Sequence, residues 1–214
     1  MRNNIAAKKI SGALVALITW FALILQCWLI LQTTGKTGYS TLKTITNFFS
    51  YFTILSNILV AVCLSSAFLD PVSRLGSFFS KISVQSAIAL YIFIVGLVYN
   101  LVLRGIVILT GIDRVADNLL HVVVPVLFVL YWLIFAPKKT LQWKNILPWL
   151  IFPGLYLVYS LIRGPVADWY PYPFLNINIL GYSKVILNSA GVLVAFLAAG
   201  LLLIAYNRAG KGIN

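Results

Sequence analysis

Six long apolar stretches, at about residues 10–31, 48–69, 87–103, 119–136, 146–162 and 185–206, contain no Lys, Arg, Asp or Glu and so restrict what this chain can fold into. A hydrocarbon layer takes roughly 20 apolar residues per helical crossing. Inside it every backbone amide needs a partner from the chain itself, which makes the helix the natural structure for such stretches. The expected fold is an all-α integral membrane protein, one domain over residues 1–214, with six transmembrane helices in a single bundle. An apolar extension through Leu109 takes the third span to 87–109, and Pro148 and Pro153 predict a kink or a re-entrant start near one end of the fifth. Only 9% of the residues are charged, where a soluble domain carries about 25%.

Orientation follows from the basic residues, which accumulate on the cytoplasmic side. With the N-terminus inside, Arg2, Lys8, Lys9, Arg74, Lys81, Lys138, Lys139, Lys144, Arg208 and Lys211 are cytoplasmic, ten of sixteen. Lys36, Lys43, Arg104, Arg114, Arg163 and Lys184 fall outside, with Asp113, Asp117 and Asp168. Both termini are then cytoplasmic, in a multi-pass protein of the cell membrane. The first stretch is longer than a signal-peptide core and no small-x-small cleavage site follows it, so it is expected to stay as a helix.

The net charge of +12 does not point to nucleic acid, because the chain has no polybasic run, zinc-finger spacing or aromatic-basic alternation. The expected partner is the lipid bilayer, whose anionic headgroups suit a basic face. Cys27 and Cys63 lie inside apolar spans without metal-type spacing and are read as packing residues. Neither a metal nor another cofactor is expected.

Polar residues inside the spans gather at one depth. Gln26 and Gln32 lie in the outer half of the first span; Ser50, Thr53, Ser56 and Asn57 open the second. Tyr99, Asn100 and Arg104 close the third, Asp117, Asn118 and His121 begin the fourth, and Tyr159, Ser160 and Arg163 end the fifth. Lys184, Asn188 and Ser189 start the sixth. Amides a turn or more inside a span normally face the bundle, so the pattern predicts a polar cavity opening outward. Gly191, Ala195 and Ala199 form a small-residue stripe expected to serve close packing.

His121 is the single histidine, and an ionisable group at such a depth is a functional candidate by default. Asp117, four residues earlier on the same helical face, is placed to orient the imidazole. A base needs a nucleophile, and Ser50, Thr53 and Ser56 offer hydroxyls at matching depth, with Ser160 and Ser189 as outsiders. Spacing leaves the choice among them open.

The segments Asn47–Asn57, Asp117–Pro125 and Trp169–Leu175 resemble the androgen-induced membrane protein family and its bacterial six-pass relatives. Its animal members hydrolyse fatty-acid esters of hydroxy fatty acids with a membrane-embedded threonine and a histidine. The family threonine follows an aromatic-hydrophobic pair and matches Thr53 after Phe52; the histidine precedes a proline and matches His121 before Pro125. A Tyr-Pro-Phe-Leu string before the last span is shared, at Tyr172–Leu175. The histidine-to-proline interval is four here against five in the animal members, whose doubled-histidine surroundings this chain lacks.

The resemblance implies a lipid-ester hydrolase in which Thr53 attacks a fatty-acyl ester while His121, oriented by Asp117, takes its proton. Arg104 is expected to hold a substrate carboxylate. Asn57, Asn100, Asn188 or backbone groups are expected to stabilise the oxyanion. The stretch Tyr170–Phe174 is read as an interfacial aromatic belt. The alternative is a small-molecule or lipid transporter, or a non-catalytic lipid-binding protein, which would also use an ionisable His121 and Asp117. The chain shows no internal repeat of the kind many carriers have.

Overall fold

The computed structural model describes residues 2–210, without the side chains of 2–4 and 35–37. Of the basic residues that orient the chain, Lys211 and the side chains of Arg2 and Lys36 fall outside the described part. The helices in chain order are α1 (Arg2–Thr37), α2 (Thr41–Phe48), α3 (Phe52–Leu69), α4 (Arg74–Ser80), α5 (Ile82–Val98), α6 (Gly111–Asn118), α7 (Val124–Phe135), α8 (Ile146–Trp149), α9 (Ile151–Ala167) and α10 (Ile177–Ala209). Two π-helical turns, Tyr99–Leu103 and Leu119–Val123, extend α5 and join α6 to α7. No strand occurs among the described residues.

Among the described residues six helical segments are long and apolar enough to cross a membrane: Ile5–Gln32, Phe52–Leu69, Ile82–Leu103, Gly111–Phe135, Trp143–Ala167 and Ile177–Ala209. Their boundaries differ from the apolar runs where backbone chemistry intervenes. The second begins at Phe52, because residues 49–51 turn between α2 and α3. The third ends at Leu103, and its apolar extension is a loop bounded by Gly105 and Gly111 at φ of 90° and 56°, a region that favours glycine. The sixth starts at Ile177 and breaks at Gly181, φ 73°.

The fifth segment is assembled from a 3₁₀ turn at Trp143–Asn145, α8 and α9, with the break at Leu150. Pro153 brings no N–H, so the carbonyl four residues back, that of Trp149, loses its helical donor. Tyr91 supplies the replacement, its hydroxyl donating to the Trp149 carbonyl at 2.8 Å. A proline in the sequence thereby fixes a tertiary contact between α5 and the α8–α9 break.

At the centre of the bundle Val60, Ala89, Leu90, Ile92 and Val124 are wholly buried. Around Phe52 the rings of Tyr91, Phe152, Tyr156 and Phe196 meet at centroid distances of 5.0–6.3 Å, within the range of favourable aromatic pairs. Buried Ala22 and Ala61 share one core cluster and let α1 lie close on α3. On α10, Ala199 is buried in the core and Ala195 packs against it, while Gly191 has open space beside it. A β-carbon at Gly200 would collide with Ile146 Cδ1.

The outer surface is apolar: Leu17, Ile24, Leu155, Ile162, Leu187 and Leu202 are all exposed, which suits contact with lipid. At one end of the bundle a loop after α7 is held by Asn207, whose Oδ1 accepts from the Thr140 and Leu141 amides, both at 3.0 Å. Its Nδ2 donates to the Pro137 carbonyl at 2.7 Å. The opposite end holds the candidate site.

Candidate active site

Thr53 is the second residue of α3 and is 5% exposed. Its Oγ1 lies 3.3 Å from His121 Nε2 and 3.3 Å from the Tyr172 hydroxyl. The Thr53 N–H, an unpaired donor of the first helical turn, donates to the same Tyr172 oxygen at 3.1 Å. Of the five hydroxyls considered as nucleophiles, Thr53 is the one beside the imidazole. Ser50 donates to the Thr46 carbonyl and Ser189 to that of Val185, while Ser56 and Ser160 are buried without a hydrogen-bond partner among the described residues.

The position of His121 traces to Pro125. A proline lacks the N–H that would close a helical turn four or five residues back and crowds the carbonyl of residue i−4, here that of His121. The chain widens into the π turn Leu119–Val123, in which the Val124 N–H reaches the Leu119 carbonyl. Pro125 would be the next donor, to Leu120, and cannot be. Asn57 takes that role, its Nδ2 donating to the Leu120 carbonyl at 3.3 Å and to Thr53's own carbonyl at 2.8 Å. One buried amide thus ties the α3 start to the turn that carries His121. Single-turn π segments of this kind occur frequently at functional sites.

Tyr99 and Asp117 fix the imidazole. Its Nδ1 lies 2.9 Å from the Asp117 main-chain oxygen and 3.0 Å from Asp117 Oδ1. Both are acceptors, so the network assigns the proton to Nδ1 and leaves Nε2 as an acceptor facing Thr53. The Tyr99 hydroxyl donates to the other carboxylate oxygen, Oδ2. The Tyr99 ring also stacks on the imidazole, centroids 4.1 Å apart and 17° from parallel. The His121 and Asp117 side chains are 17% and 14% exposed, enough to reach a cavity without being solvated throughout.

The amides expected at the oxyanion are committed elsewhere. Asn57 has both donor contacts on carbonyls, Asn100 Nδ2 donates to the Gly96 carbonyl at 2.8 Å, and Asn188 Nδ2 donates to that of Phe174 at 3.0 Å. Arg104 is exposed and donates to Asn100 Oδ1 at 2.8 Å. The three amides support the backbone around the site and Arg104 braces Asn100, and none of the four hydrogen-bonds Thr53 Oγ1.

Tyr172 occupies the place left open. The Tyr170–Phe174 stretch folds inward: Tyr172 is 9% exposed, stacks on Phe174 at 5.2 Å and meets Tyr51 edge-on. Burial pushes its phenol up to about 12 against the opposing effect of its Thr53 contacts, so the group stays protonated near neutral pH and can donate. Tyr99 was placed among the polar groups that close the third span but without a role, and Tyr172 did not stand out from spacing alone. The one available signal for Tyr172 was the string Tyr172-Pro173-Phe174-Leu175, too rigid and aromatic for a simple connector.

Two cavities adjoin at this point and share Thr53, Leu103 and Tyr172 in their walls. One, of about 390 Å³, is lined in part by Gln26, Tyr51, Tyr99, Asp113, Asp117 and His121. The other, of about 380 Å³, lies between α5, α9 and α10 and is walled by groups such as Val95, Leu157, Leu193 and Phe196. Its hydroxyl groups from Tyr156 and Ser189 are spent on main-chain carbonyls. No group of three or more His, Cys, Asp or Glu residues that could hold a metal comes together among the described residues. Comparison with known protein families, with curated proteins and with solved structures finds no match for this chain.

Proposed function

We propose that this protein is a membrane-embedded hydrolase of fatty-acyl esters, with Thr53 as nucleophile and His121 as general base and acid. The observation that carries the reading is the approach of Thr53 Oγ1 to Nε2 of an imidazole whose other nitrogen is engaged by Asp117, 3.3 Å and 3.0 Å respectively. Nucleophile, base and orienting group in contact are the signature of an activated hydroxyl, and such contacts are often long before substrate is bound. The resemblance of the Phe52-Thr53 and His121-to-Pro125 segments to the androgen-induced membrane protein family supports the same assignment.

In the reaction Thr53 Oγ bonds to the ester carbonyl carbon as its proton passes to His121 Nε2. The Tyr172 hydroxyl donates to the developing oxyanion, taking the role first expected of the amides. Collapse breaks the bond to the leaving alkoxide, which receives the proton from His121 and departs as the alcohol. Water then attacks the acyl-threonine; His121 takes the water proton and returns one to Thr53 Oγ, and the fatty acid leaves. Asp117 stabilises the imidazolium in both halves, and Tyr99 holds Asp117. The basic-residue distribution supports cytoplasmic termini and a site in the outer half of the cell membrane.

The test uses the full chain in nanodiscs with p-nitrophenyl fatty-acyl esters. Hydrolysis is expected from the wild type and lost in Thr53→Ala and His121→Ala. Hydrolysis that survives Thr53→Ala overturns the assignment. Absence of hydrolysis together with uptake of lipid ester into liposomes carrying the protein favours a carrier.

A further inference from the structure

We infer that a cleft between α9 and α10 is a side entrance from the bilayer, through which a long acyl chain slides into the apolar cavity and brings its ester to Thr53. The inference rests on the hydrolase reading for what happens at Thr53 and adds the route by which a lipid gets there.

The apolar cavity has an inner wall and an outer rim. Val95 and Phe196 line it from within the bundle and are 6% and 4% exposed. Ile186 and Leu193 of α10 line it too, yet they are 65% and 48% exposed. Gly154 of α9 and Ala190 of α10 are likewise lining residues that are exposed. A residue that walls a cavity and also faces the lipid marks the cavity's mouth. The mouth is open because little projects from its rim. A β-carbon at Gly154 would meet nothing within 4 Å, and Ala190 adds a single methyl.

The wall suits a hydrocarbon chain along its whole course. Among the described residues it holds no Lys, Arg, Asp, Glu or His. The Tyr156 and Ser189 hydroxyls are bonded to main-chain carbonyls. That leaves Thr53 and Tyr172, whose oxygens are 3.3 Å apart, as the remaining polar side chains of the wall. A chain entering from the side stays among apolar groups from the bilayer to its ester, whereas every methylene taken through water is unfavourable. The polar cavity reaches Thr53 separately, past the exposed lining residues Gly105 and Asp113. Water and short, soluble esters have that second approach.

Gly154→Trp and Ala190→Trp plug the mouth, each from an exposed helical position, and the first also replaces glycine with a better helix former. Leu187→Trp puts the same ring on the lipid face outside the cavity. In nanodiscs, kcat/KM for p-nitrophenyl palmitate is expected to fall at least about tenfold in both plugged variants, the scale of two methylenes kept out. Hydrolysis of p-nitrophenyl butyrate should stay at the wild-type rate in both, and Leu187→Trp should match the wild type with either ester. Thr53→Ala gives a readout without catalysis, using methyl palmitate with a diazirine near the end of its chain. Photo-adducts are expected on Val95 and Phe196, which bulk lipid does not reach, and should vanish when Gly154→Trp is added. Equal slowing of both esters by the plugs, palmitate hydrolysis that neither plug slows, adducts confined to exposed residues such as Leu187, or buried adducts that survive Gly154→Trp overturn the inference. If the wild type cleaves neither ester but the buried adducts form and vanish with the plug, the hydrolase reading fails and the side entrance stands.

Discussion

The two ends of the bundle treat buried polar groups in opposite ways. At one end Asn207 is completely buried and its side chain meets two amides and a carbonyl of the loop it fastens. At the other, Thr53 and His121 meet each other over 3.3 Å and face cavities, with the imidazole held from one side by Asp117 and Tyr99. A saturated polar group closes a structure, because every contact it makes is with the backbone it organises. A group oriented from behind, with its reactive atom facing a cavity, is prepared for something that arrives later. Depth and residue type alone do not separate the two cases, but the partners do.

The comparison breaks most visibly at Thr53 and His121. Replacing either by Ala is expected to lower ester hydrolysis about a thousandfold or more while leaving the thermal midpoint in detergent close to wild type. Asn207→Leu reverses the pattern: three main-chain groups lose their partner, at a cost of about 3 kcal/mol, read by chemical or thermal denaturation, with hydrolysis by the remaining folded protein unchanged. Tyr172→Phe should slow hydrolysis about a hundredfold through loss of an oxyanion donor, with little change in fold because the ring is kept. Since burial holds this phenol at about 12, its donor form is fully present at lower pH, and the wild-type rate should show no alkaline decline from Tyr172 until that range is reached. Tyr99→Phe is the mildest change. The stack on His121 remains and only the donation to Asp117 is lost, for which about a tenfold decrease is expected, the scale of one charge-assisted hydrogen bond.

The six apolar spans were legible because length and the absence of charge are properties of the sequence itself. Their ends were less so. The apolar run to Leu109 looks like helix until Gly105 and Gly111 at positive φ turn it into a loop. Shared depth of Thr53, Asn57, Asn100, Asp117 and His121 could be read from helix direction, but partner choice could not. Asn57 and Asn100 had the type of an oxyanion donor and instead serve carbonyls, Asn57 because Pro125 strands that of Leu120. Tyr172 was missed for the opposite reason: an aromatic in a short connector resembles an interfacial anchor until the chain folds it onto Thr53. Effects that depend on one missing N–H, or on one inward turn of a loop, have no periodicity for a sequence to display.

The central claim is that Thr53 is the reacting hydroxyl and His121 its base. The most direct measurement is covalent labelling of the nanodisc protein with a fluorophosphonate, followed by mass-spectrometric mapping of the modified residue in the wild type and in His121→Ala. The account predicts a single adduct on Thr53 that is strongly reduced in His121→Ala. An adduct on Ser50, Ser56, Ser160 or Ser189, or an adduct on Thr53 that forms equally fast without His121, would contradict it.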